Sequence, residues 1–207
     1  MKNSNPIYII ILILLLPFDL FGQEVFGSYE SSYFEEKFDL KFSDKDKGKF
    51  NLYISAMSFD RLADEGGINF GDKSKYEAFI STLNQAKLKY QEWVLTAKQN
   101  NVEEVSKAMS FKTRCGSHFL YGREWHFQFF VTLQYEFKIL KKGDNIQYLL
   151  IIKTGQLQAS DNQFMKVDGF VIVFTSETEI QDFIDALSID KIEALKNKNK
   201  AKELFKD

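Results

Sequence analysis

Residues 125–139 read Trp-His-Phe-Gln-Phe-Phe-Val-Thr-Leu-Gln-Tyr-Glu-Phe-Lys-Ile. Trp125, Phe127, Phe129, Val131, Leu133, Tyr135, Phe137 and Ile139 take every second position, with His126, Gln128, Thr132, Gln134, Glu136 and Lys138 between them. Side chains alternate across a β-strand, so this pattern predicts a long strand with one face on a core and the other in water. Only Phe130 breaks the alternation. Packing of the aromatics against helices is the economical expectation. A face left open would instead be a platform for sugar, peptide or lipid.

Downstream, Lys141-Lys142-Gly143-Asp144-Asn145 reads as a turn, and residues 146–152 as a more fully buried returning strand. Shorter strands follow at 155–159, 164–167 and 170–174, with a turn at Ser160-Asp161-Asn162. Ser176 with Glu179 forms a capping box, and Ile180, Phe183, Ile184 and Leu187 mark an amphipathic helix. Upstream, Asp72 opens the clearest helix of the chain. Tyr76, Phe79, Ile80, Leu83, Ala86, Tyr90, Val94 and Ala97 recur on one face, and Asn100-Asn101 supplies a stop. Residues 102–109 read as a second short helix. Residues 38–42 and 50–54 read as a hairpin around the polar turn 43–48, after an irregular segment at 25–33. Residues 60–67 read as a loop, sharpest at Gly66-Gly67, before a short strand at 68–70. The expected fold is α+β: a curved, mainly antiparallel sheet backed by two amphipathic helices.

Moved by 104 positions, Ile68, Phe70, Asp72, Tyr76, Phe79, Ile80 and Leu83 fall on Ile172, Phe174, Ser176, Ile180, Phe183, Ile184 and Leu187. This is either duplication, with pseudo-repeats 23–107 and 108–207 inside a single domain 23–207, or independent use of the same strand–cap–helix rules. A hairpin, a further strand, a cap and an amphipathic helix, twice over, resembles the ββββα modules of the PUR, positive-cofactor-4 and Whirly nucleic-acid-binding families. The resemblance implies two modules in one curved sheet platform with helices behind it, and single-strand binding as a function. Such binders need a basic groove with aromatics for stacking. Here 27 Lys and Arg stand against 29 Asp and Glu, a net charge of -2, which argues against a nucleic-acid partner.

The first residues carry an address. Lys2 precedes the apolar run 7–16, which Pro17 ends, and Leu20-Phe21-Gly22 follows. These are the parts of a secretory signal peptide, 1–22, cut before Gln23. Ten residues span about 15 Å as a helix, half a bilayer core, so no stable span is expected after cleavage. No cysteine follows the run, so the expectation is an exported periplasmic or extracellular protein, not a lipoprotein. The leader and the Lys/Asn/Phe/Ile-rich body resemble exported proteins of Bacteroidetes-type bacteria in composition.

Candidate chemistry gathers in one neighbourhood, Arg114-Cys115-Gly116-Ser117-His118 and Arg123-Glu124-Trp125-His126. A thiolate beside an imidazole is the minimum for nucleophilic catalysis. Cys115, His118, Glu124 and His126 also offer the donor types zinc prefers. The segment reads as a loop leading into a strand, with no motif of a known cysteine enzyme and one cysteine only. No catalytic residue, cofactor or metal is therefore assigned, and a buried Cys115 is expected. The carboxylates Glu35, Glu36, Asp39, Asp44 and Asp46 read as a solvated hairpin, and the lysines from Lys191 to Lys206 as a solvated terminus. The leading expectation is a non-enzymatic binding or accessory protein of the cell envelope, its ligand or protein partner undetermined. The alternatives are a hydrolase using the Cys115/His118 region and the single-strand binder that the resemblance implies.

Overall fold

Fourteen elements make up the described part of the computed structural model, residues 23–43, 50–59 and 63–204. Residues 1–22, 44–49, 60–62 and 205–207 lie outside it, and with them the expected signal peptide, most of the expected turn 43–48 and the start of the expected loop 60–67. The strands are β1 (Gln23–Ser31), β2 (Glu36–Ser43), β3 (Asn51–Ser55), β4 (Met57–Ser58), β5 (Ala63–Phe70), β6 (Val105–Tyr121), β7 (Glu124–Lys142), β8 (Asn145–Lys153), β9 (Leu157–Gln158), β10 (Lys166–Val167) and β11 (Phe170–Phe174). The helices are α1 (Lys73–Gln99), α2 (Glu177–Ala186) and α3 (Ile189–Leu204). Nine strands form one open antiparallel sheet in the order β1-β2-β3-β5-β6-β7-β8-β11-β4, and β9 pairs with β10 alone. Among the described residues no helix is long and apolar enough to cross a membrane.

Local chemistry explains the helix starts. Asp72 is extended and accepts from the Ser74 N–H at 2.7 Å, satisfying a donor that the first turn of α1 leaves unpaired. Ser176 does the same for Glu179 at 3.1 Å. Glu179 in turn accepts from the N–H groups of Thr175 and Ser32, which ties α2 to the β1–β2 turn. The buried face of α1 is Tyr76, Phe79, Leu83, Ala86, Tyr90 and Ala97. Phe79 and Phe183 meet edge to face at 6.5 Å, and Phe183 also packs on Tyr29 and Phe174. Buried tyrosines find backbone acceptors: Tyr29 donates to Ser55 O, Tyr76 to Leu187 O, and Tyr90 to Tyr148 O and Thr175 O.

The sheet doubles back on itself. β4 follows β3 after Ala56 alone, yet β3 is third in the sheet order and β4 last. Ala56 N–H donates to Gly66 O at 3.0 Å, and Phe59 N–H to Gly169 O at 3.0 Å. The backbones are so close here that a Cβ on Gly67 would lie 2.0 Å from the Ile54 oxygen. One on Gly66 would lie 2.3 Å from Phe170 Cζ. Glycine is needed at both positions for close approach.

Three expectations are corrected. Residues 63–67, read as loop, belong to β5. Gly66-Gly67 marks a tight strand crossing, and glycine signals both equally well. Residues 105–109, read as helix, begin the seventeen-residue strand β6. Pairing with β7 overrides the weak local preference. The irregular segment at 25–33 is mostly β1, paired with β2 through Ser31↔Glu36. The two expected helices are α1 and α2, and beyond Leu187-Ser188 a further helix, α3, follows. The 104-residue shift relates β5–α1 to β11–α2, but α1 has 27 residues and α2 has 10. The boundary 107/108 falls inside β6.

Phe79→Ala and Phe183→Ala are each expected to cost about 3–5 kcal/mol in urea unfolding, because both rings are fully enclosed. Their contact makes the double variant non-additive. A loss under about 1 kcal/mol for either would place that ring at the surface.

Candidate functional site

The residue that breaks the alternation marks a change of face. In the β6–β7 ladder Cys115 stands opposite Val131 and Ser117 opposite Gln128. β7 thus carries one residue more than β6 between these pairs, a bulge at Phe129-Phe130. One extra residue exchanges the two faces of a strand. Beyond the bulge Val131, Leu133, Tyr135, Phe137 and Ile139 are buried, as the pattern predicts. Before it, His126 takes the buried side and Trp125 and Phe127 are only half-buried. At the bulge Phe129 is 64% exposed and Phe130 82%. The expectation of a single core-facing row of eight apolar residues is corrected accordingly.

The same ladder separates the candidate catalytic groups. Residues 114–118 are the middle of β6, not a loop. Cys115 shares the core side with Thr113, Ser117 and Phe119. His118 lies on the opposite face, edge-on to Tyr53 at 5.3 Å and stacked on Trp125 at 5.6 Å. Burial pushes the Cys115 thiol up to about 12. Burial, with the charge of Lys41, pulls His118 down to about 3. The thiol therefore stays protonated and the imidazole neutral at pH 7, the reverse of an activated pair. His126 is buried beside the Phe119 ring, its Nδ1 3.5 Å from Asp161 Oδ2. Glu124 is exposed just after the two-residue turn Gly122-Arg123, whose φ values of 60° and 74° suit a tight hairpin. No face holds Cys115, His118, Glu124 and His126 together. Among the described residues no cluster of three or more His, Cys, Asp or Glu side chains is arranged to hold a metal ion.

The bulge opens onto a different feature. The β9–β10 hairpin anchors through buried Leu157, Ala159 and Val167, and its tip docks on β7. Ser160 N–H donates to Phe127 O at 2.8 Å, and Gln158 N–H to Gln128 Oε1 at 2.7 Å. Phe129 N–H donates to Ser160 Oγ at 3.4 Å, and Gln128 Nε2 to Phe130 O at 3.3 Å. Within the tip, Phe164 N–H donates to Asn162 Oδ1 at 3.1 Å. An open groove of about 650 Å³ remains between the tip and the strand. Phe130 and Phe164, 87% exposed, both line it, together with the polar side chains of Gln128, Gln158, Asp161 and Gln163. Burying a phenylalanine is worth about 1.5–3 kcal/mol. The fold forgoes that gain at neighbouring positions and braces their backbone with hydrogen bonds. Phe130 was legible in sequence only as a broken alternation, and Phe164 only as the first residue of an expected strand at 164–167, which begins instead at Lys166.

His118 is depressed in the fold, so the unfolded chain takes up its proton first on acidification. Its contribution is complete above about pH 6.5 and is lost as pH falls toward 3. Urea midpoints are expected to drop between pH 7.5 and 5.5, and His118→Gln should flatten that difference. An equal midpoint at both pH values in the wild type would show a solvated imidazole. Cys115 should react slowly with a thiol reagent in the folded protein and quickly only on unfolding. Labelling faster than a free model thiol at neutral pH would show an activated thiolate.

Comparison with known proteins gives no match: no family model, no curated protein and no solved structure is significantly similar to this chain.

Proposed function

We propose that the chain is an exported, non-enzymatic binding protein of the cell envelope that takes its ligand in the groove between Phe130 and Phe164. The exposure of these two rings along one groove, on backbone held by hydrogen bonds, carries the reading. Preformed concave sites with aromatic walls and a few polar groups are the usual form of a binding site. The order already present in the walls lowers the entropy lost when a ligand docks. Residues 1–22, with their positive start, short apolar run and small-residue end, support export. The placement of Cys115 and His118 on opposite faces favours binding over hydrolysis in that region.

The test is retention of the purified protein on an envelope fraction of its host. The double variant Phe130→Ala/Phe164→Ala should fold normally, since both rings are on the surface and such changes stay within about 0.5 kcal/mol. Its retention should fall about tenfold, the effect of truncating an aromatic anchor. Equal retention of wild type and variant would overturn the groove as the binding site.

A further inference from the structure

We infer that the groove receives a neutral polysaccharide chain, an assignment that rests on the binding function proposed above. The lining chemistry carries it. Among the described residues no Lys or Arg lines the groove, and Asp161 contributes a carboxylate. A phosphate-bearing or otherwise anionic ligand would meet repulsion and find no cation to pair with. An acyl chain would strip water from Gln128, Gln158, Asp161 and Gln163 and return no hydrogen bond. A peptide added as a strand needs open backbone donors, and three successive ones at the tip are taken. Gln158 N–H donates to Gln128 Oε1, Ala159 N–H to Met165 O and Ser160 N–H to Phe127 O.

A sugar ring fits what remains. Each hydroxyl both donates and accepts, which suits a set of amides with one carboxylate. The C–H face of the ring covers a phenyl face, and Phe130 and Phe164 present two. Asp161 sits over a buried group: His126 has no hydrogen-bond partner at either ring nitrogen, and its Nδ1 faces the Asp161 carboxylate at 3.5 Å. The imidazole lies behind the Asp161 carboxylate and does not itself line the groove.

The probe is the envelope fraction extracted with chloroform and methanol, so that the retained material is not lipid. One portion is oxidised with periodate, which cleaves vicinal diols, and another is digested with proteinase K. Retention of the wild type should fall about tenfold after periodate, matching the Phe130→Ala/Phe164→Ala variant on untreated material. Proteinase K and high salt should leave it unchanged. Loss after proteinase K with survival of periodate would overturn the sugar assignment and identify a protein partner, leaving the binding reading in place. Binding abolished by high salt, or present only before lipid extraction, would also overturn the sugar assignment. Equal retention of wild type and variant in every arm would remove both readings together.

Discussion

The chain crosses from the third strand of the sheet to the last in one residue, Ala56, and the rest of the fold accommodates that step. Nine strands cannot lie flat if β3 and β4 are that close, so the sheet turns back on itself. Two backbones must then pass where a Cβ does not fit. Gly66 and Gly67 make this passage, with Ile54, Ser55 and Phe170 against them. The enclosed side is filled by the α1 face and by Phe183 of α2, and buried tyrosine hydroxyls find carbonyls there instead of water. The polar links from Glu179 to Thr175 and Ser32 then hold the first hairpin against the last helix-bearing strand.

A second local feature decides what the surface offers. Without the extra residue at Phe129-Phe130, the aromatic row of β7 would run into the core along its whole length. With it, the row divides. Its second part is packed in the core, and its first part lies on the other face, where Trp125 stacks on His118, with Phe129 exposed at the bulge. The same exchange of faces carries His126 inward beneath Asp161. One bulge therefore produces the exposed rings, the groove and the buried histidine behind it, in line with the tendency of bulges to re-aim side chains where a strand serves more than packing.

The neighbourhood that looked most chemical in the chain is the least so in space. Cys115 and His118 are three residues apart on one strand, and an odd separation along a strand places two side chains on opposite faces. Burial then acts on each in its own direction, raising the thiol and lowering the imidazole, because both shifts disfavour the charged form. Nearness in sequence counts for catalysis only when the local backbone has the right period, and a strand does not bring i and i+3 together.

Period and capping were legible in the residues alone, because both are local physics. The stripe from Tyr76 to Ala97, the caps Asp72 and Ser176 and the alternation after Val131 each follow from backbone geometry within a few residues, and together they establish α+β. The expected loop at 63–67 and the expected helix at 105–109 give way to strands for the opposite reason. Glycines that permit a turn also permit a close strand crossing, and residues 105–109 take strand form only because β7 lies beside them. The site was still less legible. Phe130 was visible as an exception to a pattern, but its exposure depends on a register shift against β6, and Phe164 becomes a wall only when the 157–167 hairpin docks. Such facts arise from pairings between distant segments, which no single stretch of sequence contains. Only the tertiary structure decided them.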